Sequence, residues 1–262
     1  MWEHSEADNP ALYEQQVHWQ RGYNRWFYEK KRLFQRLIGP EVESILDVGC
    51  GDGAITNDLC PDRLVVGCDR SAAALAYVSV PKVQASCREL PFQDRSFDLV
   101  LASELLEHLP DAVYLRAVNE LTRVARRHVV ISVPYREQLA ARTTKCRSCG
   151  LEYHIDGHLR AFGAPSDVAV RFRGFRLGFV GFCGETYGRA PKWMIVLCRR
   201  LARHWPRDPI AICPRCQGKE VAGPRRLNRT LRRVLDGLQR RLSSKPLHMW
   251  MVLGLDRVWG AA

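Results

Sequence analysis

The sequence predicts an α/β protein built around a doubly wound, mostly parallel sheet, and two stretches predict it. A short apolar run after Glu41 ends at Val48, and the chain then breaks at three closely spaced glycines, Gly49, Gly51 and Gly53. A second apolar run, Leu64–Cys68, ends at Asp69. Runs of this length suit buried parallel strands, and a strand, a glycine turn, a helix and a second strand form the repeating unit of such sheets.

The glycine turn between the two strands predicts a ligand. Glycine permits a tight turn and lets the backbone approach a bound molecule, and the helix expected to follow offers unpaired N–H groups. Asp69 lies 20 residues after Gly49, which suits a carboxylate that accepts hydrogen bonds from the hydroxyls of a ribose. The pattern therefore indicates a nucleotide-type ligand.

A longer set of motifs narrows the family. Asp47-Val-Gly-Cys-Gly-Asp-Gly53, then Asp69, then RELPFQDRSFDLVLASELLEHLP (Arg88–Pro110) together resemble the class I S-adenosylmethionine-dependent methyltransferases, in the broad small-domain group. The resemblance covers roughly 41–200 and implies a seven-stranded Rossmann-like sheet. The alternative is a dinucleotide-binding dehydrogenase, which the acidic residue that opens the loop and the LPF…SFDLV segment do not fit.

The resemblance also implies which residues hold the cofactor. Asp47 would orient the loop and approach the methionine amino group, and Asp69 would hold the ribose diol. Where the family commonly has an acidic side chain that binds the adenine amino group, this chain has Ser86. The backbone N–H of Cys87 can still meet a ring nitrogen. The complete predicted set is Asp47, Gly49, Gly51, Gly53, Asp69, Arg70, Ser86, Cys87 and Ala102.

Methyl transfer from a sulfonium requires an aligned acceptor and exclusion of water, and it requires a general base only when the acceptor must lose a proton. No Asn/Asp-Pro-Pro-Tyr/Phe segment, which would hold the exocyclic amine of a nucleobase, follows the fourth predicted strand, Phe97–Ala102. We therefore expect O-methylation of a small molecule or of a glycan sugar. Two alternatives stay open: an RNA methyltransferase that uses the basic second half of the chain, and a non-catalytic protein that binds the cofactor or zinc.

Three histidines are candidate general bases. His108 lies in the segment LLEHLP, where a structural role beside the cofactor is the alternative. His154 and His158 lie in HIDGHLR, and the alternative for either is that it packs against nearby metal-binding cysteines. His128, at the start of the fifth predicted strand, is interpreted as a surface residue, and Tyr135, just after that strand, as a wall of the site.

The sequence predicts three regions along the chain. These are capping helices at 1–40, a core at 41–200 that contains an insertion at 136–162, and a zinc-binding, basic helical tail at 201–262. Because the insertion follows the fifth strand, we expect it over the carboxyl ends of the strands, where the acceptor must bind.

Within these regions we predict several further elements. A helix is expected at Ala164–Phe172, followed by a closing antiparallel strand pair. Two further helices are also expected. The resemblance implies that the first caps the cofactor pocket, and the second is basic and amphipathic and either packs on the core or binds an RNA or membrane surface. The strand pair is Phe175–Gly188 with Pro191–Arg200, the capping helix is Tyr13–Ile38, and the amphipathic helix is Arg225–Leu242.

Four of the ten cysteines form two Cys-x-x-Cys pairs, Cys146 with Cys149 and Cys213 with Cys216. Four thiolates from two such pairs suit a closed, tetrahedral, structural zinc site. A local set of Cys146, Cys149, His154 and His158 is the alternative, but it leaves the second pair unexplained. A redox role is a poorer interpretation, because neither pair opens a helix after a strand.

The charge of the chain is unevenly distributed. The first 133 residues carry a net charge of −4 and the remainder carries +16. Such asymmetry predicts an anionic partner, either RNA or a phosphorylated lipid. The alternative is that the surface is rich in arginine only because of the genome composition, since 33 of the 40 basic residues are arginine. No apolar run suits a signal peptide or a spanning helix, so we expect a cytoplasmic protein without disulfides.

Overall fold

The computed structural model describes residues 25–187, 189–202, 205–208, 211–222 and 247–258. Five helices lie in these ranges: α1 (Arg25–Leu37), α2 (Ala72–Leu75), α3 (Asp111–Val124), α4 (Pro165–Ala169) and α5 (Lys192–Ala202). The strands there are β1 (Ser44–Val48), β2 (Leu64–Asp69), β3 (Lys82–Gln84), β4 (Phe97–Ser103), β5 (Ala125–Pro134), β6 (Thr143–Lys145), β7 (Glu152–His154), β8 (Phe175–Tyr187) and β9 (Leu247–Arg257).

Seven of these strands form one sheet in the order β3-β2-β1-β4-β5-β9-β8. The pairs β1–β2, β1–β4, β2–β3 and β4–β5 are parallel, whereas β9 runs antiparallel to β5. The predicted doubly wound, seven-stranded, mostly parallel sheet is therefore confirmed. The strand order reverses between β1 and β4, and in such sheets ligands bind at that point, outside the carboxyl ends of the strands.

The continuous apolar runs of the strands follow from burial on both faces of the sheet. In β4, Val100 and Ala102 pack in one core cluster, while Leu99 and Leu101 pack in another. Alternate residues of a strand point to opposite faces, so an interior strand covered on both faces is apolar along most of its length. The exception near the start of β4 is the buried Asp98, whose carboxylate accepts hydrogen bonds from Ser44 and Arg126. One cover is α3, whose buried residues recur at helical spacing: Val113, Tyr114, Ala117, Val118, Leu121 and Val124.

The described residues belong to two compact units. The core unit lies within Met1–Tyr135, Phe162–Glu185 and His248–Ala262 and contains the seven-stranded sheet. The inserted unit lies within Arg136–Ala161 and Thr186–Leu247 and contains the antiparallel β6–β7 pair. The inserted unit thus draws on two separate stretches of chain, only the first of which was predicted as an insertion.

The prediction of a closing strand at Pro191–Arg200 is wrong. This stretch forms helix α5, in which Met194 and Ile195 are buried against Ala190. The strand beside β5 is instead β9, so the core does not end at residue 200. The predicted tail at 201–262 contributes an interior strand, between β5 and the edge strand β8. A short apolar run fits a helix or a strand equally well by its pattern, and only pairing with a distant segment decides between them.

Other predicted elements differ in extent. A single 3₁₀ turn, Thr56–Asp58, follows the glycine loop where a helix was expected. The helix predicted at Ala164–Phe172 is present as the shorter α4. Residues 13–24 of the predicted N-terminal helix and the whole of the predicted basic helix Arg225–Leu242 lie outside the described residues. None of the described helices combines the length and the hydropathy that a membrane span requires.

Candidate functional site

The loop after β1 turns tightly at the switch point of the sheet. The N–H groups of Gly49 and Cys50 both donate to the carbonyl of Cys68, at 2.7 and 3.1 Å. Gly49 and Gly51 have φ values of 76° and 56°, a left-handed conformation that favours glycine. A Cβ added at Gly51 would meet no atom of the described residues within 4 Å, so among these residues the backbone there borders open space. A ligand can therefore approach the peptide groups of this loop closely.

Asp47 at the end of β1 is a buried carboxylate with one oxygen in use. Its Oδ2 accepts a hydrogen bond from Thr56 Oγ1 at 2.7 Å. Within the described part of the chain, Oδ1 is fully buried and has no hydrogen-bond partner. Burial raises the pKa of Asp47 to about 7, against the opposing effects of the Thr56 hydrogen bond and of Lys30. A buried oxygen of this kind suits a cationic or hydrogen-donating group of a ligand.

Asp69 at the end of β2 is tied to the same loop. Its Oδ2 accepts the N–H of Gly51 and its Oδ1 accepts the N–H of Ser71, each at 2.9 Å. A carboxylate can accept about four hydrogen bonds, so both oxygens retain capacity for ligand hydroxyls. The carboxylate is 9% exposed and thus lies at the floor of the site.

The residues predicted to surround the adenine follow β2 and β3. Arg70 comes directly after Asp69 and is exposed. The N–H of Ala85 donates to the carbonyl of Asp69 at 3.0 Å, which brings the partly buried Ser86 and Cys87 to this end of the sheet. Burial raises the pKa of Cys87 to about 11, so the thiol stays protonated and is a poor nucleophile. Ala102, at the end of β4, is fully buried.

Glu104 and His108 lie just beyond β4. Glu104 Oε1 accepts a hydrogen bond from Ser132 Oγ at 2.7 Å and lies 3.6 Å from Lys30 Nζ. His108 ends a 3₁₀ turn, Leu106–His108, and is partly buried. His128, which was interpreted as a surface residue, is partly buried in the amino-terminal half of β5 and pairs with Glu41 and Asp256.

In the inserted unit, His154 and His158 share one carboxylate, Glu137. His158 Nδ1 lies 2.5 Å from Glu137 Oε2, and His154 Nε2 lies 3.4 Å from Glu137 Oε1. The two imidazole rings stack, with centroids 4.8 Å apart. Burial opposes ionisation of Glu137, but the two neighbouring imidazoles, of which His158 is hydrogen-bonded to it, hold its pKa at about 2. The carboxylate is therefore charged at neutral pH.

The four predicted cysteine ligands come together in the inserted unit. Their Sγ atoms all lie within 4.8 Å of one another, and the pairs Cys146–Cys216 and Cys149–Cys213 are each 3.5 Å apart. All four are free thiols. A separate cluster holds Glu137, His154, Asp156 and His158, so the histidines and the cysteines of the local alternative do not form one ligand set in this structure.

Two tight turns carry these cysteines. The N–H of Gly150 donates to the carbonyl of Cys146 at 3.1 Å, with Gly150 at a φ of 72°. The N–H of Gln217 donates to the carbonyl of Cys213 at 2.9 Å, and a Cβ at Gly218 would lie 3.3 Å from Cys216 Sγ. The glycine after each pair therefore gives the backbone room to wrap around the sulfurs.

Comparison with known proteins agrees with the geometry of the core unit. A family described as a methyltransferase domain matches residues 46–133. The core unit has the fold of the class I methyltransferases. A protein of Mycobacterium tuberculosis described as a probable S-adenosylmethionine-dependent methyltransferase is 34% identical over 122 residues, which are 43% of this chain and 44% of that protein. This chain thus spans less than half the length of the first curated relatives that it matches.

Solved structures share the fold at low sequence identity. A chain from a complex between the Haloferax volcanii Trm112 methyltransferase activator and a methyltransferase superposes with a TM-score of 0.56 at 14% identity, covering 96% of this chain and 98% of that one. The [4+2]-cyclase SpnF superposes with a TM-score of 0.53 at 15% identity, covering 88% and 81%. Since one of these is described as a cyclase, the fold alone does not determine the reaction.

Three residues of these sites were not predicted from the sequence. Lys30 lies three positions after Phe27 and four before Phe34, so it shares the apolar face of α1 with them. A lysine on an apolar face could have been predicted to have a buried partner. Along the chain, Glu104 comes directly after β4 and Glu137 comes shortly after β5. Nothing in the sequence pairs either with its partner.

Proposed function

We propose that this protein binds S-adenosylmethionine in the core unit and transfers its methyl group to a hydroxyl of a small molecule or of a glycan sugar. The observation that carries the proposal is the buried Asp47, whose Oδ1 has no hydrogen-bond partner among the described residues, beside a glycine loop that borders open space. The amino group of the cofactor is the cation that this oxygen suits. The match of residues 46–133 to the methyltransferase domain supports the same cofactor.

Each predicted contact has a physical role. Asp47 would bind the methionine amino group, and the backbone of Gly49 and Gly51 would pass along the methionine and ribose, with Gly53 closing the loop. Asp69 would accept the ribose hydroxyls while the N–H groups of Gly51 and Ser71 keep its carboxylate in place. Arg70, Ser86 and Cys87 would surround the adenine, and Ala102 would form part of the wall. When bound, the cofactor supplies an electrophilic methyl group on a sulfonium.

A hydroxyl acceptor must lose a proton, and His158 is the best candidate base in the inserted unit. Glu137 holds its Nδ1–H, so the basic lone pair lies on Nε2. His154 is less suited, because its Nδ1 accepts the backbone N–H groups of Asp156 and His158 at 3.3 and 3.2 Å while its Nε2 faces Glu137. We therefore assign His154 a positioning role. His108, just after β4, is the candidate base from the core unit.

The methyl-transfer function is tested by turnover. The purified protein is incubated with methyl-labelled S-adenosylmethionine and a polar small-molecule extract of the cells that naturally make it. Label in a small molecule, absent with an Asp47→Leu variant, supports the function. Cofactor binding without label would favour a non-catalytic protein, and absence of cofactor binding would contradict the proposal altogether.

We also propose that Cys146, Cys149, Cys213 and Cys216 hold a structural zinc ion. Thiolates bound to zinc at about 2.3 Å in a tetrahedron lie about 3.8 Å apart. The 3.5 Å separations of two sulfur pairs are close to that value and far longer than a disulfide of about 2.05 Å. Four thiolates leave no coordination position for water or substrate, so the proposed role is structural.

A second candidate function is methylation of RNA, and the distribution of charge favours it. The inserted unit has 21 basic and six acidic residues, a net charge of +15, whereas the core unit has 19 basic and 22 acidic residues, a net charge of −3. A compositional excess of arginine would spread over both units. A segregated charge suits a surface that binds phosphates.

A further inference from the structure

Glu104 adopts a backbone conformation that favours glycine. It follows β4 directly, its φ is 55°, and its N–H donates to the carbonyl of Ser132 at 3.0 Å. Glycine would make this turn without strain, whereas a residue with a Cβ makes it at an energetic cost. Such strain is typical of positions where the side chain has a role in binding or catalysis.

The carboxylate of Glu104 is held through one oxygen. Ser132 Oγ donates to Oε1 at 2.7 Å, and Lys30 Nζ lies 3.6 Å from the same atom. Ser132 is fully buried and Lys30 is 3% exposed, whereas the side chain of Glu104 is 27% exposed. In the described ranges no residue makes a hydrogen bond to Oε2. The protein thus fixes the orientation of the carboxylate while Oε2 keeps its capacity to accept.

The buried Lys30 connects Glu104 to the cofactor loop. Its Nζ lies 4.0 Å from the ring centroid of Trp250 and balances the charge of Glu104. The same cation acts on Asp47, where it opposes the rise in pKa. Leu105, the next residue after Glu104, would lie 3.0 Å from a Cβ at Gly49. Glu104 is therefore adjacent to the loop that would hold the methyl donor.

We propose that Glu104 Oε2 accepts a hydrogen bond from the acceptor atom itself, and so selects a neutral hydroxyl or amine as the methyl acceptor. This inference rests on the proposed methyl transfer. A fixed carboxylate binds a group that carries a hydrogen at the reacting atom and repels an anionic one. Carboxylates and phosphate oxygens are therefore excluded as acceptors, and Glu104 binds and aims the acceptor before the reaction. A hydroxyl has a single hydrogen, so that hydrogen must leave Glu104 for the general base as the methyl group is transferred.

The test separates acceptor binding from cofactor binding. The product labelled in the cell extract is identified, its unmethylated form serves as substrate, and Glu104→Gln is compared with Glu104→Asp. We expect the KM for this substrate to rise about ten- to a hundredfold in Glu104→Gln, because a hydrogen bond to a charged group is lost, and to recover in part in Glu104→Asp. The Kd for S-adenosylmethionine stays within about twofold of wild type. Glu43→Gln, an exposed carboxylate at the start of β1, is the matched control and leaves both constants unchanged.

A second variant keeps the test informative if Glu104→Gln alone does not fold. Glu104→Gln leaves the buried Lys30 without its carboxylate, so the double variant Lys30→Met with Glu104→Gln removes both charges and should show the same rise in KM. An unchanged KM in either folded variant, or a raised Kd for S-adenosylmethionine with an unchanged KM, would overturn this inference and leave methyl transfer standing. Absence of label with the wild-type protein would overturn the proposed function and this inference with it.

Discussion

His158 Nδ1 lies 2.5 Å from Glu137 Oε2, a distance that determines which nitrogen of the imidazole carries the proton. Because the pKa of Glu137 is held at about 2, the carboxylate is charged and can accept only from an N–H. The basic lone pair of His158 therefore belongs to Nε2. Carboxylate–histidine pairs of this kind orient a general base in other enzymes.

We expect His158→Ala to lower kcat about 100- to 10,000-fold, the range typical of a lost general base. His154→Ala should have a smaller effect, because that ring positions Glu137. Wild-type activity should fall at acidic pH as the base gains a proton, and His158→Gln should flatten that limb of the pH–rate profile. Equal activity of His158→Ala and wild type would show that His158 is not the general base. The base would then be His108, or the acceptor would need no base.

Asp69→Ala should weaken S-adenosylmethionine binding by roughly 1.5–3 kcal/mol, because charge-assisted hydrogen bonds to the ribose are lost. The loop also loses the acceptor for the N–H groups of Gly51 and Ser71. Calorimetry measures the affinity, and Asp62→Ala, an exposed aspartate just before β2, is the control. Unchanged affinity in Asp69→Ala would contradict the assignment of Asp69.

Asp47 predicts a pH dependence of stability in the protein without cofactor. Its pKa is about 7 in the folded state and 3.8 as the reference for the unfolded chain. Between these values the folded state binds more protons, so stability falls as pH rises from about 4 to about 7, by at most about 4 kcal/mol.

Asp47→Asn should remove this fall. The variant should melt at a higher temperature than wild type above pH 7 and should bind S-adenosylmethionine more weakly, because a neutral amide lacks the negative charge that attracts the amino group. Thermal melts across pH 4–9 measure the first effect and calorimetry the second. If the melting temperatures of the two proteins change with pH in the same way, burial does not raise the pKa of Asp47.

Cys213→Ser should lower zinc content and melting temperature together, since loss of a ligand costs folding free energy. His154→Ala and His158→Ala should retain one zinc per chain. Metal content is measured by mass spectrometry on the same samples that are melted. Loss of metal in a histidine variant, with full zinc in Cys213→Ser, would restore the local set of two cysteines and two histidines.

Binding of RNA by the inserted unit should depend steeply on salt. Replacing its exposed Arg207, Arg215 and Lys219 by alanine should reduce the log–log slope by about 2, at about 0.7 per lost phosphate contact on a single strand. The same three charges removed from the core unit, at Arg116, Arg171 and Arg173, are the control. If RNA binding by the wild-type protein does not depend on salt, the excess of positive charge reflects only the high arginine content of the chain.

Local signals predicted much of the core. The runs that became β1, β2 and β4 and the turn at Gly49 and Gly51 depend on the character of neighbouring residues alone. A strand buried on both faces is apolar at most positions, and a left-handed turn favours glycine. Asp69 followed from its distance along the chain to that turn, whereas the role of Asp47 followed from the resemblance of the loop motif to the class I methyltransferases.

Pairing between distant segments could be decided only by the tertiary structure. Whether β9 or the run at 191–200 closes the sheet depends on which segment can align with β5, and neither pattern carries that information. Glu137 meets two histidines and Lys30 meets Glu104, and neither contact was predicted. The two Cys-x-x-Cys pairs were predicted to form one site, but only the folded backbone decided that Cys146 lies beside Cys216. The sequence by itself determined the residue types at these sites; the partner of each was decided by the folded backbone, because a contact between side chains depends on where two remote segments are brought in space.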